Sequence, residues 1–257
     1  IGAFSLSGNA SSMHAFGREA RAAVEQARES VAALINAAPG EIYFTASGSE
    51  SNNTVLKTLL VPPDGSLFAK GRRGLVTSVI EHPCVLQTAA ALEADGIAVR
   101  RLGVDAKGVV DPAALPALLD DGIGLVSVML ANNEIGTVQD VRALTDAAHK
   151  AGALFHTDAV QAVGKIPVDV RALDVDYLTL SAHKLYGPKG VGVLYVRKGA
   201  PLSPLIHGGH QEQGLRAGTY NTQGIIGLGE AAREAAELLP AAMVRERALR
   251  DRLRTRI

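Results

Sequence analysis

Short apolar runs ending in polar residues recur along the chain, separated by longer stretches with helical spacing. The runs are Ile42–Thr45, Gly74–Ile80, Ala98–Val104, Gly124–Leu130, Leu154–Asp158, Tyr177–Leu180 and Val191–Val196. Runs of this length, rich in Val, Ile, Leu and aromatic residues, predict buried strands. Between them, Val24, Val31, Leu34 and Ile35 mark an amphipathic helix that runs to Ala38 and is closed by Pro39-Gly40. Further helices are predicted after Ala46–Asn53 to about Leu60, after Glu81-His82-Pro83 to Asp95-Gly96, from Asp111-Pro112, over Val141–Ala151 and over Thr222–Leu239, with Pro240 as a break. Ile1–Asn9 reads as a loop and Pro62-Pro63-Asp64-Gly65 as a turn. Strands alternating with helices predict an α/β fold with a mostly parallel, doubly wound sheet and helices on both faces.

In such a sheet the carboxyl ends of the strands open onto the ligand crevice. One strand delivers Asp158 with Gln161 close behind, and another delivers Lys184 beside Ser181 and His183. An acid and a lysine at two such ends suit the two poles of pyridoxal 5′-phosphate (PLP), which needs a lysine for its Schiff base and often an acid at its pyridinium nitrogen. A helix N-cap is the alternative for Asp158. Lys184 is harder to place otherwise, because a lysine seldom ends a buried strand without a partner. The strand, the turn Ala46-Ser47-Gly48-Ser49 and the following helix start form a phosphate-type junction, or else an ordinary cap. His82 offers either a structural imidazole or a ring to stack on the cofactor and relay protons. Asn133 offers an amide, and Ser181, His183 and Thr219 offer donors for a phosphate. Each is weak alone, and their recurrence at five strand ends carries the reading.

Composition narrows the partners. The 257 residues carry 26 basic and 26 acidic side chains and are 47% hydrophobic, so no global attraction to nucleic acid or acidic lipid is expected. The arginine-rich end from Arg245 to Arg256 alternates with acids and reads as a solvated helix face. A single cysteine, Cys84, excludes an internal disulfide and suits a cytoplasmic setting. No run reaches the length of a membrane span. Seven histidines occur, yet no paired histidine–carboxylate pattern accompanies them, so no metal site is expected. The absence of a Gly-x-Ser-x-Gly elbow argues against a serine hydrolase. Both ends read as cut from a longer chain.

The chain resembles the cysteine desulfurases of the NifS/IscS type, within the class V aminotransferase group of fold-type I PLP enzymes. The resemblance rests on Asn9–His14, Phe44–Asn53, Glu81-His82, Asn132–Gly136, His156–Gln161, Ser181–Gly190 and Gly214–Thr219, in order along nearly the whole chain. It implies a seven-stranded large domain over residues 1–239 and the start of a small domain over 240–257. Lys184 would bind the cofactor and move protons at the substrate α-carbon. Asp158 would hold the pyridinium, Gln161 the phenolic oxygen, and His82 would stack on the ring. Gly48, Ser49, Ser181 and His183 would hold the phosphate, with Thr219 reaching in from the other subunit of a homodimer, and Asn133 would help bind the substrate carboxylate. The implied activity takes sulfur from L-cysteine, leaving L-alanine and an enzyme persulfide for a sulfur acceptor or scaffold protein in iron–sulfur assembly or tRNA thiolation. Selenocysteine lyase, another class V activity, or a non-catalytic PLP-binding scaffold are the alternatives.

The sequence also departs from that pattern. The family's sulfur-accepting loop cysteine and its carboxylate-clamping arginine fall beyond Ile257 in the family's pattern, so the chain as given is expected to be inactive in desulfuration. Cys84, two residues past His82, reads as structural. His210 replaces a glycine and Gln213 a basic residue, which puts the local geometry near the expected subunit boundary in question.

Overall fold

The computed structural model describes residues 8–61 and 71–256. The turn read at Pro62–Gly65 and most of the opening loop lie outside them. Seven strands form one sheet: β1 (Ile42–Thr45), β2 (Gly74–Ser78), β3 (Val99–Leu102), β4 (Ile123–Ser127), β5 (Leu154–Asp158), β6 (Tyr177–Ser181) and β7 (Gly192–Val196). Their order is β1-β7-β6-β5-β4-β2-β3. The run from β6 to β3 is parallel, and β7 alone opposes its neighbours, β1 and β6. The mostly parallel sheet is therefore present. The β6–β7 connection is too short for a crossover helix, which forces β7 to return antiparallel.

Two apolar clusters sandwich the sheet. On one face α1 (Ala15–Leu34), α4 (Val141–Lys150) and α6 (Thr222–Arg254) pack Val24, Leu144 and Leu228 with strand residues such as Val126 and Val193. On the other, α2 (Gly48–Leu60) and α3 (Pro83–Ala94) pack Val55, Leu59 and Val85 with Leu125 and Leu194. Adjacent strand residues thus serve opposite faces, and strands covered on both sides are apolar throughout. The helix α5 (Val170–Leu173) is a single turn on the way into β6. Helices α1 and α6 cross so closely that a Cβ on Gly229 would lie 2.5 Å from Ala27 Cα. Among the described residues no helix is long and apolar enough to cross a membrane.

Several boundaries differ from the sequence reading. The expected break at Pro240 is absent, and α6 runs through it to Arg254. A proline removes one ladder hydrogen bond, and the strong helix formers that follow, Ala241 to Leu253, carry the helix on. Helix α1 ends at Leu34, where Asn36 turns left-handed at φ 55°, and Pro39-Gly40 opens a 3₁₀ turn instead of closing the helix. The segment after Asp111 is a 3₁₀ helix, Pro112–Leu118, with Pro116 inside it denying an α-helical ladder. Strand β4 stops at Ser127, yet Val128 and Leu130 still donate to the carbonyls of His156 and Asp158.

Candidate active site

The carboxyl ends of β1, β2, β4, β5 and β6 share one edge of the sheet, and a cavity of about 220 Å³ opens there. Its walls include Gly48, Ser49, His82, Asn133, Asp158, Gln161, Ser181, His183 and Lys184. Nine of the ten expected site residues therefore meet in one space. Thr219 does not; it lines a separate cavity with Phe44, Thr45 and Gly190.

Strand β5 places Asp158 at its end, buried. One carboxylate oxygen accepts the Val160 amide at 3.0 Å and the other accepts Asn52 Nδ2 at 2.6 Å. Burial raises the Asp158 pKa, while the Val160 and Asn52 donors and the His82 ring pull against it. His156, two residues upstream on the same strand face, is wholly buried between the Ser127 and Thr179 hydroxyls, and burial pushes its imidazole down to about 3.

The segment after β2 carries Glu81 and His82. Glu81 is buried; its Oε1 accepts from Ser78 Oγ at 2.5 Å and from the Met129 amide at 2.9 Å. Burial pushes its carboxyl up to about 8, against those two donors and with the added repulsion of Asp158. The same carboxyl thus joins the ends of β2 and β4. Asn132 adds a second tie, donating to the Ile80 carbonyl at 2.8 Å and accepting the Glu134 and Ile135 amides, which fixes the turn bearing Asn133. His82 caps α3, its Nδ1 accepting the Cys84 amide at 3.1 Å. Because an amide can only donate, the neutral ring carries its proton on Nε2.

Lys184 sits half-buried in the 3₁₀ turn Ala182–Leu185 that joins β6 to the return strand. The Ala182 amide, bonded to the Val191 carbonyl, and Tyr186, left-handed at φ 62°, close that turn. Lys165 Nζ donates to the Lys184 carbonyl at 3.3 Å. Ser181 Oγ lies 2.9 Å from His183 Nδ1, and burial together with Lys184, Lys189 and Lys165 lowers the His183 pKa. This cationic corner adjoins the start of α2, where Ser47 caps the Glu50 amide at 3.1 Å. The amides of Gly48 and Ser49 begin a 13-residue helix at the cavity wall. A helix dipole and clustered cations favour an anion there.

The family described as aminotransferase class-V matches residues 3–257. The chain belongs to the class-V aminotransferase family. A cysteine desulfurase of Gluconacetobacter diazotrophicus is 52% identical over 248 residues, covering 96% of this chain and 60% of the relative. The solved structure of a NifS-like protein superposes with a TM-score of 0.92 at 45% identity, covering 97% of this chain and 68% of that one. Another, described as SspA in complex with cysteine, gives 0.83 at 41% identity, with coverage of 90% and 68%. The class-V chain spans about 60% of the length of the curated relatives it matches.

Sequence reasoning passed over several wall residues of this class-V site: Ser47, Asn52, Met129 and Val160. Asn52 had a readable signal, since it lies four residues after Gly48 and so on the same face of α2. Cys84 also lines the cavity, half-buried, with its thiol 3.1 Å from Asn52 Nδ2 and 3.0 Å from His82 Nδ1. The sequence reading of Cys84 as structural did not anticipate its place at the cavity wall. The altered segment near His210 and Gln213 is tied down by Glu212, whose buried carboxylate pairs with Arg28 at 2.8 Å and accepts the Phe44 amide at 2.7 Å. Glu212 and Gln213 are both left-handed there, at φ 48° and 57°.

Proposed function

We propose that the chain is the PLP-binding part of a cysteine desulfurase, with residues 1–239 as the large domain and 240–257 leading into a small one. The observation that carries this is the meeting of Lys184, Asp158 and the start of α2 in one cavity. The donor set fits PLP. Among the described residues, each Asp158 oxygen accepts a single hydrogen bond and keeps a lone pair for a protonated ring nitrogen. The α2 amides with Ser181 and His183 suit its phosphate, and Gln161 its phenolic oxygen. When bound, PLP supplies an electron sink for charge developed at the α-carbon of an amino acid.

The protein's own groups do the rest. Lys184 anchors the cofactor aldehyde and moves the proton at the substrate α-carbon. His82 covers the ring and presents the Nε2 proton, since Nδ1 is occupied by the Cys84 amide. Asn133 holds the substrate carboxylate. The names of the relatives, and the cysteine complex among the solved structures, support L-cysteine as substrate. In the net reaction the C–S bond of cysteine breaks, a thiolate takes the sulfur as a persulfide, and the carbon gains a proton to give alanine. A cytoplasmic setting, delivery to a sulfur acceptor in iron–sulfur assembly or tRNA thiolation, and a homodimer complete the reading. The position of Thr219 outside its own chain's cavity supports its entry into a second subunit's site.

The test is spectroscopic. Wild-type protein incubated with PLP should develop the visible absorbance of a lysine-bound cofactor and retain it through desalting. Lys184→Ala should show neither. Equal spectra from the two proteins would sink the assignment.

A further inference from the structure

We propose that Asn52 is a positioning residue for Asp158, holding the carboxylate ionised and aimed by spending both hydrogens of one buried amide on the cavity wall. This rests on the PLP reading for its purpose, and on the geometry alone for its existence. Asn52 is fully buried in the second turn of α2. One hydrogen of Nδ2 goes to Asp158 Oδ2 at 2.6 Å and the other to Cys84 Sγ at 3.1 Å. An amide nitrogen only donates, so the Cys84 sulfur accepts from Asn52, and the thiol hydrogen faces His82 Nδ1 at 3.0 Å and the Ser49 side chain. Burial raises the Cys84 pKa, which keeps the thiol hydrogen in place.

The arrangement has a cost that shows its purpose. Among the described residues, Asn52 Oδ1 is buried with no hydrogen-bond partner. Turning the amide over would present that oxygen to Asp158, oxygen against oxygen, a contact that only a protonated Asp158, donating its O–H, could satisfy. This orientation therefore favours the ionised carboxylate, which accepts the bond more strongly and is the form that pairs with a protonated ring nitrogen. The titratable groups around Asp158 are Glu81 and His82 from the segment after β2, Cys84 on α3, and His156 on the same face of β5. Lys184 shares its cavity. Among the described side chains, Asn52 is the one that hydrogen-bonds to the carboxylate directly.

The experiment follows the Asp158 carboxyl in ¹³C-aspartate-labelled protein without cofactor, assigned by comparison with Asp158→Asn. Asn52→Leu keeps the volume and removes the donor, and Asn52→Ala serves as a second variant should leucine fail to pack. Loss of a charge-assisted bond predicts an upward move of the Asp158 midpoint by about one pH unit. With PLP added, retention should weaken by about tenfold for the same reason. An Asp158 midpoint unchanged in a folded Asn52 variant would overturn the proposal. Failure of wild-type protein to take up PLP would instead sink the cofactor reading while leaving the apo titration to decide the role of Asn52.

Discussion

Glu81 and His156 put opposite pH slopes into the stability of the protein. The Glu81 carboxyl is held at about 8 against an ordinary 4.5, so between those values the native state binds a proton that the unfolded chain has released. Stability contributed by Glu81 is present below pH 4.5 and is lost as pH rises toward 8. His156, lowered to about 3 from 6.5, works the other way: between pH 3 and 6.5 the unfolded chain binds the extra proton, so stability rises with pH. The two slopes offset each other between 4.5 and 6.5, and the Glu81 decline stands alone above 6.5. Glu81→Gln should therefore remove the decline that Glu81 contributes, so that the variant gains on wild type progressively as pH rises from 4.5 to 8. Urea midpoints across pH 5–8 measure this, and parallel profiles for the two proteins would refute it. None of these roles was legible beforehand. Lys184, Asp158 and His82 stand out because a strand that should end in a turn residue ends in a reactive one. Glu81 and Asn52 differ only in being buried and in what lies across the sheet edge, and adjacency in sequence carries neither fact.

At the scale of elements, the strand cores and the helix starts were readable, because apolar runs and cap residues act locally. The ends were not, because they depend on neighbours. Helix α1 stops four residues before its expected limit, and α6 ignores Pro240. One junction shows how tightly neighbouring elements constrain each other. A Cβ on Gly192, the first residue of β7, would lie 2.4 Å from the Ser47 carbonyl carbon and 2.6 Å from its oxygen. Both are backbone atoms of the residue that caps α2, and neither can swing aside. Gly192→Ala should thus displace the cap, costing about 1–3 kcal/mol of stability. PLP affinity should drop with it, because the α2 amides move. Denaturant unfolding and cofactor titration on the same variant check both effects. A neutral result would mean that the turn before α2 is softer than its packing indicates.

For the whole molecule, the class and general plan of the sheet followed from the alternation of periods, whereas strand order did not. Nothing in the local pattern says that β1 lies beside β7, or that Arg28 on α1 reaches Glu212. Thr219 illustrates the same limit, since its place in a second cavity emerges only from the assembled fold. The β1–β7 pairing joins Ile42 to Tyr195 and Thr45 to Gly192, so it closes a loop of about 150 residues. Chain-closure entropy makes such contacts slow to form compared with β5–β6 or the β6–β7 return. Lys184 and Asp158 therefore come into place with the early, local strands, while the proposed phosphate cradle at Gly48 waits for the last strand to arrive. Capture of the cofactor becomes a clock for the end of folding. In a refolding experiment with PLP present, the visible band should lag behind the recovery of far-UV ellipticity. Simultaneous recovery would place the β1–β7 closure early instead.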